Sequence, residues 1–181
     1  MHGSVTPAEA ASPDPLRLVR VGYDHPDVAT LVEEVQAFYV ERYGAPDETP
    51  LDPLMFQPPA GSFFLGYLPD READLGPAPV CSGAWRRTDK GVVPGAPEGT
   101  ATAEVKRMWV APRARRLGLG RRVLAHLEVD AAAHGFGALV LETGTRQPEA
   151  IAMYEAAGYV PVVGYGHYKD DPESVYLGRL I

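Results

Sequence analysis

The chain has 181 residues, 45% of them hydrophobic and 23% charged, with a formal net charge of −7. That is the balance of a soluble globular protein long enough for one full core. The acidic charge argues against a nucleic-acid or anionic-membrane binder, whose footprint would be a basic face. The single cysteine, Cys81, excludes an internal disulfide and a cysteine-based zinc site.

The N-terminus has neither a basic start nor an apolar h-region, and no apolar run approaches membrane-spanning length. Cytoplasm is the expected compartment. Residues 1–15, rich in Ala, Pro, Ser and acids, read as a disordered tail, and residues 16–181 as one domain. Leu16 to Val21 alternates and predicts the first strand. Asp24 to Asp27 offers cap chemistry, with Pro26 suited to a first helical turn. Val28, Leu31, Val32, Val35, Phe38 and Tyr39 then repeat at helical spacing until Gly44.

Ala45 to Gly61 is Pro-rich, with Leu51, Leu54, Met55 and Phe56 apolar, and reads as a loop or broken second helix. Ser62 to Leu68 is a strand, Pro69 to Pro79 a polar link, and Val80 to Arg87 the next strand. A Gly/Pro-rich loop over 88–100 leads to a central strand at roughly 102–110. The helix after Gly120 carries Val123, Leu124, Leu127 and Ala131 on one face and stops at Gly135. Ala138 to Thr143 is nearly continuous apolar sequence, as a parallel strand buried on both faces requires. Pro148 opens another helix, which Gly158 closes. Tyr159 to Val163 and Ser174 to Leu180 are the last strands.

The stretch around the central strand concentrates the positive charge. No acid occurs between Glu104 and Glu128, while Lys106, Arg107, Arg113, Arg115, Arg116, Arg121 and Arg122 all fall there. A strand that feeds a glycine-containing turn and a helix N-terminus is a place to hold phosphate, because the first helical amides lack internal partners. Gly118 and Gly120 permit a tight bend and close approach, and the arginines add donors suited to phosphate oxygens. A dinucleotide-binding reading fails on detail, since Val123 stands where a third glycine belongs. The Gly-Lys-Ser/Thr ending of a P-loop is absent.

Arg115-Arg116-Leu117-Gly118-Leu119-Gly120 fits the Q/R-x-x-G-x-G/A signature, and here the chain resembles the GNAT acetyltransferase superfamily. Leu141-Glu142-Thr143-Gly144, followed by Gln147 to Tyr159, is similar to that family's second cofactor motif. The likeness covers roughly residues 16–181 and is strongest over 103–160. It implies an α/β fold of GNAT type: a mixed, mostly antiparallel sheet, split at a V between two parallel central strands, with helices on both sides. It implies acetyl-CoA (coenzyme A) as co-substrate, with no metal, and an N-acetyltransferase acting directly on a primary amine of a small molecule or peptide.

By that resemblance Arg115, Arg116, Leu117, Gly118, Leu119, Gly120 and Arg121 grip the pyrophosphate. Main-chain amides of Met108, Trp109 and Val110, beside a bulge, hold the thioester arm. Tyr154 meets the cofactor sulfur, and a phenol can protonate a departing thiolate. Glu104, eleven positions before Arg115, matches the offset of a glutamate base, with Glu142 as the runner-up. Where many members carry an Asn before the second helix, this chain has Thr145-Arg146-Gln147. Cys81 reads as a small apolar filler, and His126 and His134 as surface or packing residues. His167 stands in a loop that borders the acceptor in the family.

The acceptor itself is not readable; charge alone favours a small cationic amine. Dimers through the terminal strands are common in such folds, and nothing in the sequence decides for or against one. A non-catalytic coenzyme A sensor and a different nucleotide-dependent enzyme stay open at this point.

Overall fold

The computed structural model describes residues 15–46 and 52–181, so all but the last residue of the expected tail over 1–15, and the expected apolar Leu51, lie outside it. The strands are β1 (Arg17–Val21), β2 (Gly61–Tyr67), β3 (Cys81–Thr88), β4 (Thr102–Val110), β5 (Ala138–Gly144), β6 (Val160–Pro161) and β7 (Ser174–Leu180). The helices are α1 (Pro26–Tyr43), α2 (Glu72–Leu75), α3 (Leu119–Ala133) and α4 (Pro148–Ala156). One seven-stranded sheet runs in the order β1-β2-β3-β4-β5-β7-β6. Among these strands only β4 and β5 pair in parallel; the other neighbours are antiparallel. The expected mixed sheet is the one observed.

Local chemistry explains most boundaries. Pro26 takes the first position of α1, where a missing N–H costs nothing, and His25 Nδ1 accepts from the Asp27 amide at 3.2 Å. The cap is thus a histidine rather than either aspartate. Gly44 ends the helix in the left-handed region, its N–H on the Val40 carbonyl at 2.9 Å. The stretch expected to be a loop or broken helix holds a 3-10 turn at Pro53–Phe56, and the polar link holds another at Pro69–Arg71 followed by α2.

The expected strand over Tyr159–Val163 shrinks to β6. Pro161 has no N–H to give to a ladder, and pairing with β7 reaches only Gly178 and Leu177, with one further bond from Val162 N–H to the Tyr176 carbonyl.

Each sheet face has its own core. Val105, Leu139 and Leu141 pack under Val123, Leu124 and Leu127 of α3. On the opposite face Phe63, Leu65 and Trp109 meet Val28 and Leu31 of α1 and Phe56. Ala138 and Val140 are buried on that second face while Leu139 and Leu141 are buried on the first, which is why β5 reads as continuous apolar sequence.

Two features shape the centre. First, pairing between β3 and β4 jumps from Ser82↔Trp109 to Ala84↔Lys106, so Arg107 and Met108 together oppose Gly83. Arg107 takes a positive φ of 56° there. This bulge flips the alternation: Val105 and Met108 face α3, whereas Trp109, which would otherwise share the Val105 face, turns to α1. Second, β4 and β5 pair only at Thr102↔Ala138, Ala103↔Leu139 and Glu104↔Val140. Beyond Glu104, β4 follows β3 to Val110 while β5 follows β7 to Gly144, and the two strands part in a V. The extra twist of the bulge carries β4 away from β5.

Candidate active site

The V leads straight into the basic turn. Ala111 donates to the Val80 carbonyl at 2.9 Å, a 3-10 turn spans Pro112–Ala114, and the chain then bends through two left-handed residues, Arg116 (φ 66°) and Gly118 (φ 71°). Gly118 is the N-cap of α3 and provides no side-chain cap. The first bond of the helix runs from Arg122 N–H to the Gly118 carbonyl at 3.3 Å, so the amides of Leu119, Gly120 and Arg121 precede the ladder. Three orphan donors at the positive end of a helix dipole form an anion site, with a carboxylate or phosphate there gaining roughly 0.3–2 kcal/mol from the dipole alone.

The two glycines serve different ends. Gly118 has the left-handed φ and open space around it, whereas a Cβ on Gly120 would lie 2.8 Å from Met153 Sδ. Gly120 therefore lets α3 pass close to α4.

A cleft of about 860 Å³ joins the turn to the V, a volume suited to a large cofactor. Met108, Trp109, Val110, Arg115, Arg116, Gly118 to Arg121 and Tyr154 all border it; Leu117 and Glu104 do not. Arg115 does not simply reach into solvent. Its guanidinium lies 5.3 Å from the ring centroids of both Phe38 and Trp109, and its Nε is 3.4 Å from the Val110 carbonyl. Arg113 braces α1 against the strand exit, donating to the Pro79 carbonyl at 2.7 Å and pairing with Glu34 at 3.1 Å.

Peptide geometry sets where the β4 amides point. Ser82 Oγ donates to the Arg107 carbonyl at 2.8 Å, on the β3 side. The trans peptide turns the Met108 N–H the other way, toward the V. Ala111 N–H faces β3, so alternation turns Trp109 to β3 and aims the Val110 N–H and carbonyl at the V. Met108 and Val110 thus supply donors to the cleft, while the Trp109 contribution to the wall is its ring.

Tyr154 stands on α4 with its side chain buried and its ring 5.8 Å from that of Tyr159. Burial, and then the nearby Tyr39, push its phenol well above the usual tyrosine range. Its hydroxyl is therefore protonated near neutral pH and can donate a hydrogen bond into the cleft.

The segment Thr145-Arg146-Gln147, where the family motif and this sequence diverge, ties α4 to the end of α1. Gln147 Nε2 donates to Tyr43 OH at 3.0 Å, and Arg146 bonds the Arg42 carbonyl at 3.2 Å and Glu173 at 2.8 Å. Tyr43 and Arg42 carry no motif, so only the folded chain reveals this tie.

Glu104 lies on the α1 side of the sheet, 2% exposed. Arg86 places Nη2 2.6 Å and Nε 2.8 Å from Oε2, and Lys106 Nζ is 3.2 Å from Oε1. Both carboxylate oxygens are thus engaged by cations. It faces a second cavity of about 640 Å³, which meets the first at Lys106, Glu142 and Tyr168. Glu142 borders both spaces, and its Oε1 accepts from Ser174 Oγ at 2.9 Å. Sequence reading missed Arg86 as a clamp because it lies 18 residues from Glu104 on a different strand, and Lys106, two residues beyond Glu104, reads only as part of the basic stretch.

The remaining residues fall where packing puts them. Cys81 is fully buried, and burial drives its thiol up to about 12. His126 stacks edge-on to Phe64 with centroids 4.5 Å apart, and burial lowers its pKa. His134 bonds the Asp130 carbonyl at 2.7 Å. His167 borders the second cavity beside Tyr168. Among the described residues no cluster of His, Cys, Asp or Glu could hold a metal, and no helix is long and apolar enough to cross a membrane.

The same strand–turn–helix recurs in known proteins. The chain is 45% identical over 76 residues to an IAA acetyltransferase of Azospirillum brasilense, a match covering 42% of this chain and 50% of that one. It is 30% identical over 84 residues to the uncharacterized N-acetyltransferase YsnE of Bacillus subtilis (strain 168), covering 45% and 56%. The chain therefore spans about half the length of the curated relatives it matches. Its fold superposes with a TM-score of 0.69 on a Klebsiella pneumoniae structure named provisionally as an acyl-CoA N-acyltransferase, at 24% identity, over 91% of this chain and 97% of that one. The acetyltransferase (GNAT) family model matches residues 30–159, from the body of α1 through the V and the turn to the end of α4. The chain belongs to the acetyltransferase (GNAT) family.

Proposed function

We propose that the protein transfers the acetyl group of acetyl-CoA directly to a primary amine of a small molecule or peptide. The observation that carries this reading is the opening of the V beyond Glu104↔Val140, leading to three helix amides without ladder partners. The residues present fit the co-substrate: an anion site at α3, a cleft of about 860 Å³, and strand amides turned into the gap. When bound there, acetyl-CoA supplies an activated thioester.

The chain's own groups divide the work. The amides of Leu119, Gly120 and Arg121, with the exposed Arg116 and Arg121 side chains, hold the diphosphate. Met108 and Val110 N–H groups stabilise charge gathering on the carbonyl oxygen, a donor of the kind worth roughly 10²–10³-fold in rate. Glu142 takes the proton from the attacking amine, since the Glu104 oxygens are engaged by Arg86 and Lys106. Tyr154 delivers a proton to the departing sulfur. Direct transfer agrees with Cys81, the one cysteine, which is buried and whose raised pKa leaves no thiolate to carry the acyl group.

Thiol release from acetyl-CoA across an amine panel tests the proposal. Amine-dependent release supports it. Tight coenzyme A binding with no release from any amine makes the protein a coenzyme A sensor instead.

A further inference from the structure

The register places a charge pair at the mouth of the V. Pairing ends at Glu104↔Val140, and Lys106 on β4 and Glu142 on β5 each lie two positions beyond it. Adjacent paired strands lie about 4.8 Å apart, and these two are diverging. The Lys106 ammonium bonds back along β4 to Glu104, whereas the Glu142 carboxylate accepts from Ser174 on the neighbouring β7. Both residues border the cofactor cleft and the second cavity, and the two spaces meet between them.

The second cavity has a local charge unlike that of the chain. Its wall carries Arg86, Arg87, Lys90 and Lys106 against Asp89, Glu104 and Glu142, in a protein of net charge −7. Glu104 is one carboxylate held by two cations, so that cluster keeps one surplus positive charge. The Tyr165 hydroxyl on the same wall is buried and has no hydrogen-bond partner among the described residues. An unpaired buried hydroxyl is costly, and a bound polar group would satisfy it.

We infer that this second cavity takes the acceptor, and that the acceptor carries a carboxylate close to its amine, as a free amino acid does. Its amine stands at Glu142, facing the thioester. Its carboxylate is held by Lys106 and the surplus charge behind it. A wall with surplus positive charge beside the Glu142 carboxylate suits a short zwitterion, and a monocationic amine would leave that surplus unanswered. This inference rests on the acetyl-transfer reading.

The test measures thiol release from acetyl-CoA by the wild-type protein with free amino acids, their carboxamides and the matching decarboxylated amines. The expected result is a kcat/KM for the best amino acid about tenfold or more above its carboxamide and its amine, the effect of one charged hydrogen bond. Carboxamides or amines that match or exceed the acids overturn the inference and leave acetyl transfer standing. Release from no amine at all overturns the transfer reading and the inference with it. Lys106→Gln should lower the acid-to-carboxamide ratio about tenfold, chiefly through KM, and Lys106→Arg should restore part of it. Should Lys106→Gln not fold, the exposed Lys90→Gln reads the same ratio and should reduce it by a smaller factor. A ratio unchanged in every folded variant contradicts the assignment.

Discussion

Arg86 closes on Glu104 with two nitrogens, Nη2 at 2.6 Å and Nε at 2.8 Å from the same oxygen, in a position where the carboxylate side chain is 3% exposed. Lys106 takes the other oxygen at 3.2 Å. Breaking a fully buried pair costs about 3–5 kcal/mol, and water reaching Arg86 and Lys106 reduces this to about 2–3 kcal/mol for Glu104→Gln. In a chain of this size the melting temperature should fall by roughly 4–10 °C. Turnover of the folded variant should stay within about threefold of wild type, while Glu142→Gln should lose tenfold or more. Thermal unfolding and steady-state kinetics read both. A Glu104→Gln protein that melts normally but is catalytically dead would make Glu104 the base.

Tyr154→Phe removes one oxygen from a side chain that is otherwise packed. The expected outcome is a kcat about 10²-fold lower, within the range of general acid catalysis, and a coenzyme A dissociation constant within about threefold of wild type. Isothermal titration and turnover together make the measurement. A loss of affinity equal to the loss of rate would assign the hydroxyl to binding.

Burial also sets an alkaline limit on the fold. Tyr154, Tyr159 and Tyr165 all have phenol pKa values raised in the first place by burial. The unfolded chain ionises these groups near pH 10, whereas the folded chain does not. Stability is therefore fully present below about pH 10 and is lost as pH rises above it, by about 1.4 kcal/mol per pH unit for each such tyrosine. Spectrophotometric titration should show these three, with Tyr67 raised to about 12 and Tyr176 also raised, ionising late and together with loss of structure. A single smooth titration at pH 10 with the fold intact would contradict this.

Gly120 and Met153 meet where α3 packs on α4, and a methyl group added at Gly120 would stand 2.8 Å from Met153 Sδ. Gly120→Ala gains helix propensity of up to about 1 kcal/mol, so stability should change little. Met153 must move, and its neighbour Tyr154 moves with it. Turnover should fall several-fold and recover in the double variant Gly120→Ala/Met153→Ala. Gly118→Ala has free space but the left-handed φ of 71°, so it should cost about 1–2 kcal/mol of stability without that rescue. Additive effects in the double variant would show that the glycine serves cofactor approach and not helix packing.

Local patterns carried the elements and the turn. The apolar run from Ala138, the glycine after the strand and Pro148 at a helix start each act through neighbours in sequence, so they are legible there. The bulge in the central strand is expected only through the family resemblance; the positive φ at Arg107 that makes it has no local signal, because a bulge depends on what β3 places opposite. The clamp around Glu104 is equally hidden, since an acid at that offset gives no sign of the Arg86 that meets it from the next strand. The His25 cap and the β6 truncation at Pro161 show the limits of propensity at element ends.

Every role assigned to the cleft depends on a diphosphate bound at the start of α3. A crystal structure with acetyl-CoA bound tests this most directly. The prediction is phosphate oxygens within hydrogen-bond distance of the Leu119, Gly120 and Arg121 amides, with the thioester carbonyl facing the Met108 and Val110 N–H groups. A nucleotide seated elsewhere, or a thioester on the far side of β5, would contradict it.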